Sequence, residues 1–280
     1  VLGPVLAPFA HWIADEAAAL NAENGGRVHN LFLMRDGHLP RRVFDAAHPG
    51  ASSHAIELSR FTATAASLVD EAAVLRFIGL DFASGSPEAL LQQLHFTKQE
   101  SKALLGALPK KGRIPALMDA LTRPANMAKI TGRGRAFADR LITYIRREVD
   151  PAPGDTLMLV DLGYNGTVQN LIEPVLRDAL GVEVAGRYLL LREQEATGRD
   201  KRGLIDGSTH DGAALEALCS NVAVLEQLCT AAQGSVVDYR PNGTVVRAGN
   251  SIKKRQSETR ERVQSGAVRF AIEQDQAIVR

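Results

Sequence analysis

At 280 residues, 45% hydrophobic and 23% charged, the chain has the composition of a folded globular protein and is excluded from the disordered classes. Its 33 lysines and arginines nearly cancel 32 aspartates and glutamates, so a formal charge of +1 gives no general attraction to nucleic acid, and any anion must be held by a local arrangement. No apolar run approaches the roughly 20 residues of a membrane span, and no charged-then-apolar leader opens the chain. Cys219 and Cys229 fall in one expected helix without facing each other and read as buried thiols of a reducing compartment, so a cytoplasmic location is expected. The chain starts on Val1 and stops on Arg280, from which we expect a longer polypeptide with a neighbouring domain.

In chain order, Val5, Phe9, Trp12, Ile13 and Leu20 recur on one helical face, and Asn24, Gly25 and Gly26 end that helix. Val28 to Met34 reads as a strand broken by Arg35, Asp36 and Gly37; Leu39, Val43 and Phe44 mark a short helix, and His54 to Ser59 a second strand. From Ala65 to Glu148 the period is helical throughout, with Ser86-Pro87 and a capping box from Thr97 to Glu100 marking two helix starts. Within it, Lys129, Arg133 and Arg135 alternate with glycines, which suggests a loop between helices. That loop is either simply solvated or a basic arm able to close on phosphates.

Pro151 to Gly154 then punctuates the chain, and the strand Thr156 to Val160, a turn, the helix Val168 to Leu180 and the strand Val182 to Leu191 restart the α/β rhythm. Ala213 to Ala232 reads as one helix with Leu215, Leu218, Val222, Leu225 and Cys229 on one face. Ser235 to Tyr239 and Thr244 to Arg247 flank Pro241-Asn242-Gly243, whose Asn-Gly pair favours a tight hairpin. Lys253 to Arg262 reads as a charged helical face with Val263, Ala267 and Phe270 beneath it. The expected fold is α/β, Rossmann-like, with a mainly parallel sheet. Residues 1–64 and 151–212 would form the α/β core, 65–150 a helical insertion or hood, and 213–280 the C-terminal helices and β-hairpin.

Two strand-to-helix turns carry the chemistry. After the strand through Val160, Asp161 is followed by Gly163, Tyr164, Asn165, Gly166 and Thr167 at a helix start. A carboxylate beside backbone N–H groups and a hydroxyl suits a sugar phosphate, the acid taking ribose hydroxyls and the N–H groups a 5-phosphate; a plain capped turn is the ordinary alternative. In Arg35-Asp36-Gly37 the arginine offers a planar fork for phosphate oxygens, the glycine lets the backbone approach, and the carboxylate can accept a proton from a hydroxyl. A surface turn with an Arg-Asp pair is the alternative there. Ser59 and Arg60, ending the second strand, add a hydroxyl and a positive charge. The seven histidines show no metal-ligand spacing, and neither a nucleophile elbow nor a P-loop is present.

The Asp161 loop through Gly166 and Thr167 resembles the ribose-phosphate loop of type I phosphoribosyltransferases, and Leu33 to Gly37 is similar to their pyrophosphate-contacting loop. More specifically, a series of spaced motifs resembles a bacterial phosphoribosyltransferase-like family that accompanies haloacid-dehalogenase-like phosphatases in surface-polysaccharide loci. The series is Gly3-Pro4, Phe9 with Trp12, Phe32 to Gly37, Ser59-Arg60, Val160 to Gly163 with Gly166, Thr167 and Gln169, Gly186 to Tyr188, and Glu226 through Gly234-Ser235. The resemblance implies transfer of a 5-phosphoribosyl group from phosphoribosyl pyrophosphate to a sugar hydroxyl of an O-antigen or capsule glycan. The acceptor would be free or lipid-linked, the latter at the inner membrane, and a phosphatase domain or partner would then remove the 5-phosphate.

On that reading Mg2+ arrives on the pyrophosphate donor with no metal site of the protein's own. Arg35 and Arg60 hold pyrophosphate, Asp161 the ribose hydroxyls and Tyr164, Asn165, Gly166 and Thr167 the 5-phosphate, with Asp36 as base and Gly37, Ser59, Gly163 and Gln169 as further substrate-binding residues. Two departures stand out: the usual loop has two adjacent acids where Asp161 lies between Val160 and Leu162, and Thr167 directly follows Gly166 where the usual loop has a residue between. Both argue against nucleotide synthesis. A haloacid-dehalogenase-like phosphohydrolase with Asp36 as nucleophile, and a non-catalytic sugar-phosphate-binding module, are the alternatives.

Overall fold

Pro4 opens helix α1 (Gly3–Asn24), where its missing N–H leaves no hydrogen bond unmade, and Gly25 at φ 74° ends it. The computed structural model describes residues 2–81, 86–192, 197–249 and 257–278, with the backbone alone at 80, 81 and 275–278. After α1 come β1 (Val28–Met34), α2 (His38–Ala47), β2 (His54–Glu57) and α3 (Arg60–Ser67). Helices α4 (Glu71–Asp81), α5 (Pro87–Gln93), α6 (Lys98–Ala107), α7 (Arg113–Leu121) and α8 (Pro124–Val149) follow, with Ser86 capping α5 and the Thr97 capping box opening α6. The chain then forms β3 (Thr156–Asp161), α9 (Thr167–Leu180), β4 (Glu183–Leu190) and β5 (Lys201–Ile205). It ends with α10 (Gly212–Ser220), α11 (Val222–Cys229), the hairpin β6 (Val236–Tyr239) and β7 (Val245–Arg247), and α12 (Glu258–Ile278).

The sheet is parallel throughout, in the order β2-β1-β3-β4-β5, an α/β arrangement of the Rossmann-like kind. A parallel sheet needs cover on both faces. Leu31, Leu33, Ile56, Leu157 and Leu159 pack under α3, α9, the C-terminal half of α8 and the β6–β7 hairpin. Phe32, Met158 and Val160, alternating with them, pack against α1, α2 and α12. Each such fully buried side chain contributes about 1.5–3 kcal/mol of hydrophobic free energy. A third core, with Leu68, Val74, Leu91, Leu94, Leu117 and Ile130, unites α4 to α7 with the start of α8. The hood is thus tied to the sheet by one long helix that belongs to both cores.

At the edge of the sheet where β1 and β3 begin, Asp155 joins the two strands. Its carboxylate accepts the Arg27 N–H at 3.0 Å, the Ala152 N–H at 2.9 Å and a bond to His29 Nε2 at 3.0 Å. Burial alone would raise its pKa, yet these bonds outweigh it and hold the carboxyl below its ordinary value.

Several expectations change. Lys129, Arg133 and Arg135 form no loop: they lie inside α8, where Lys129 and Arg133 pair with Glu100 at 3.1 and 2.7 Å and Arg135 Nε donates to Val69 O. The neighbouring Gly134 is there for contact, since a Cβ would stand 2.1 Å from Leu68 O. The expected helix 213–232 is two, with Asn221 capping the first and its side chain donating to Ala217 O. Cys219 and Cys229 therefore belong to different helices, both free and buried. Val5 and Leu218 are exposed instead of core-facing. Strand β5 has no apolar run to mark it, its charged, glycine-containing sequence being that of a sheet edge. The charged start expected at 253–256 lies outside the described residues. Among the described residues no helix is long and apolar enough to cross a membrane.

The packing of α8 gives a paired expectation for urea unfolding. Gly134→Ala, forced against a backbone carbonyl, should lose about 1–3 kcal/mol. Gly132→Ala, with open space around its Cβ, should gain up to about 1 kcal/mol from helix propensity.

Candidate functional site

Pairing of Leu31 with Leu159 and Phe32 with Val160 brings the C-terminal ends of β1 and β3 level, so the two motif turns leave the sheet side by side. Ligands of open α/β sheets bind at such strand ends. Both turns contain a cis peptide bond, Met34–Arg35 and Gly163–Tyr164. Gly37 closes the first turn, its N–H donating to Leu33 O at 2.9 Å, where a Cβ would lie 2.6 Å from that same oxygen. In the second, Gly163 at φ 119° passes so close to β4 that a Cβ would meet Leu190 O at 2.0 Å. The glycines are fixed by backbone approach as well as by turn geometry.

Between these turns opens a cavity of about 300 Å³. Arg35 and Asp36 enter it from the first turn, Asp161 and Gly163 from the second, Ser59 and Arg60 from the start of α3, and Glu226 and Ser235 from the C-terminal region. A smaller annex of about 40 Å³ continues along Tyr164, Asn165, Gly166 and Thr167, sharing Arg60 and Asp161 with the main cavity. Gly166, at φ 63°, begins α9 with no side-chain cap, so the first N–H groups of the helix, beside the annex, have no side-chain partner.

The electrostatics of the cavity centre on Asp161. Burial at the strand end, then the Asp36 carboxylate and the Glu226 carboxylate, push its pKa up to about 7; the Leu162 N–H, donating to Oδ1 at 2.8 Å, and Arg60 act in the opposite direction. Near neutral pH the floor of the cavity therefore shifts between a neutral acid and a carboxylate, with two further acids and two arginines around it. His38, beside the first turn, has its pKa lowered by burial and then by Arg42, and it is a neutral imidazole at pH 7 outside the cavity wall.

Not every expected residue is available to a ligand. Ser59 is the N-cap of α3: its Oγ accepts the Thr62 N–H at 3.2 Å and donates to Val236 O at 3.0 Å. It is thus a strut between α3 and the hairpin more than an anion donor. Gln169 is fully buried away from the cavity, accepting the Tyr188 hydroxyl at 2.9 Å and donating to Glu173 and Asp200 O, each at 3.0 Å. Expected to bind substrate, its side chain instead supports the Asp161 loop. A Cβ at Gly186 would collide with Gln169 Oε1 at 1.9 Å, which accounts for the glycine in Gly186 to Tyr188.

In the sequence, the acid Glu226 and the wall residue Ser235 stand out only as ends of the last motif of the resemblance, which implies no role for them. The anchor of that wall, Glu57, lies in no motif of the sequence. Its carboxylate accepts Gln233 Nε2 at 2.6 Å and Arg247 Nη2 at 2.7 Å, and its backbone carbonyl accepts the Tyr239 hydroxyl at 2.7 Å. The only signal in the sequence was a glutamate at the end of an otherwise apolar strand.

No protein-family model matches the chain, and a search of the curated proteins finds no match to it.

The raised pKa of Asp161 makes a stability prediction. A carboxyl with a higher pKa folded than unfolded adds stability below its unfolded value near 4, and this is lost as pH rises through about 7. Asp161→Asn, neutral at every pH, should therefore gain stability over wild type at pH 8, by about 1–3 kcal/mol in urea unfolding, and less at pH 5. An equal effect at both pH values would show that this carboxylate is not desolvated.

Proposed function

We propose that the chain is a phosphoribosyltransferase that moves a 5-phosphoribosyl group from phosphoribosyl pyrophosphate to a sugar hydroxyl of a glycan, releasing pyrophosphate. The observation that supports this most is the shared cavity: the Arg35-Asp36 turn and the Asp161 loop, far apart in sequence, line one space together with Arg60. Two arginines suit a diphosphate, an acid at the floor suits vicinal ribose hydroxyls, and the open start of α9 beside the annex suits a 5-phosphate. The family resemblance of these loops adds to the reading, with a type I phosphoribosyltransferase fold, a polysaccharide acceptor, cytoplasmic work and a haloacid-dehalogenase-like phosphatase partner as its corollaries.

Departure of pyrophosphate from C1 leaves positive charge on the ribose ring. Arg35 and Arg60 offset the charge growing on the leaving group, and the carboxylates of Asp161 and Glu226 face the sugar. Asp36 accepts the proton of the attacking hydroxyl, a contribution of about 10²–10⁴ in rate for a well-placed base. Among the described residues no three acid, histidine or cysteine side chains form a cage for an ion. The donor set would fit magnesium carried by the diphosphate: Asp161 would offer a hard carboxylate oxygen, with phosphate and water as the other ligands. When bound, it supplies further charge neutralisation on the leaving group.

The phosphohydrolase alternative finds less support, since His38 stands two residues after Asp36 where a second acid is wanted, and among the described residues no lysine lines the cavity.

The test is incubation with phosphoribosyl pyrophosphate, magnesium and a panel of glycans, scoring pyrophosphate release and a mass gain of one phosphoribosyl unit. Asp36→Asn should lower kcat about a hundredfold or more with donor affinity retained. Donor affinity of the wild type should rise between pH 6 and 8 as Asp161 ionises through about 7, and Asp161→Asn should abolish that rise. Absence of donor binding overturns the proposal, and binding without transfer to any acceptor turns it into a sugar-phosphate-binding module.

A further inference from the structure

A second groove, of about 480 Å³, runs from the cavity between α3 and α4 on one side and α9 on the other. It is continuous with the site because Arg60 lines both spaces and Thr167 lines both the groove and the annex. Its walls combine three kinds of surface. Phe77, Leu171 and Pro174 are apolar and suit the C–H face of a sugar ring. Asn170 lines the groove and has a buried Oδ1 with no hydrogen-bond partner among the described residues. An amide oxygen left so is costly, and a donating hydroxyl from a ligand would satisfy it after a turn of the amide.

The third surface is charge. Arg60 and Arg76 line the groove without an ion pair to any described residue, whereas Arg199 is matched by Glu173 at 2.8 Å. Against Arg60 and Arg76 the groove sets, among the described residues, one carboxylate, that of Asp70, which also caps α4 by accepting the Ala73 N–H at 2.7 Å. The balance along the groove is therefore positive, in a chain whose overall charge is nearly neutral.

We infer that this groove is the acceptor subsite and that it takes a glycan bearing an anionic group, with sugar rings along Phe77 and Pro174, a hydroxyl on Asn170 and the anion at Arg76. The inference rests on the transferase reading, for which it names the second substrate's class. A carboxylate of an acidic sugar and a phosphate ester of a nucleotide- or lipid-linked sugar share this chemistry, and the two are separated by the choice of probe.

Methyl β-glucuronide and glucose 1-phosphate are titrated against the full chain by saturation-transfer NMR, with ribose 5-phosphate and pyrophosphate added to fill the cavity and methyl β-glucoside as the uncharged control. One or both charged probes should bind about tenfold tighter than the control. Arg76→Glu should weaken them about fivefold or more, and Asn170→Ala about threefold. Neither variant should alter the affinity for ribose 5-phosphate. The charged probe that binds identifies the carboxylate or the phosphate as the source. Equal binding of the uncharged control, no binding of either charged probe, or an Arg76→Glu chain that binds as wild type overturns the inference. Failure of ribose 5-phosphate to bind counts against the transferase reading and leaves the groove titration to be scored by itself.

Discussion

The in-register pairing of β1 with β3 is the constraint on which the rest of the structure depends. Leu31 opposite Leu159 and Phe32 opposite Val160 set which side chains face each core and place both motif turns at one edge of the sheet. A slip of one residue would reverse every face of the strand, moving Phe32 into the α3–α9 side and Leu31 into the α1–α2 side. Asp155 guards that register from the opposite edge, by binding the backbone before β1 and the His29 ring within it. The cavity is thus fixed by bonds made at the far end of the same two strands.

Within the cavity, charges of the same sign are held close at a cost to stability. Asp161 sits at the end of a buried strand, facing Asp36 and Glu226, and its pKa is raised first by that burial and then by those acids. A core built for stability alone would place an amide or an apolar side chain there. Such conflicts concentrate at binding and catalytic sites, where a ligand's hydroxyls and cations complete what the protein leaves unbalanced.

Residues outside the cavity act by holding its walls. Glu57 ties the β6–β7 hairpin to the end of β2 through Gln233, Arg247 and Tyr239, and Ser59 adds a bond to Val236 O, so Ser235 is carried to the cavity rim. Gln169 does the same for the Asp161 loop through Tyr188 and Asp200. The hood is fastened by α8, whose basic residues neutralise Glu100; hydrogen bonds from Arg133 and the Thr97 N–H hold that carboxyl far below its ordinary value.

Local patterns were enough to read the apolar strands β1, β3 and β4, the capped starts of α5 and α6, the Asn-Gly hairpin and the two glycine-containing turns, because each is decided by side chains within a few residues of one another. They failed where a distant partner decides. Gly132 and Gly134 look like loop residues until Leu68 O is found against Gly134, and Gln169 looks like a loop ligand until Tyr188 and Glu173 are found to occupy it. The sequence by itself determined the α/β class and the residue types gathered at Arg35 to Gly37 and Asp161 to Thr167. Only the tertiary structure decided that the two turns share one cavity with Glu226, and that Arg60 joins it to a second groove, because both follow from strand register and helix packing between segments far apart in the chain.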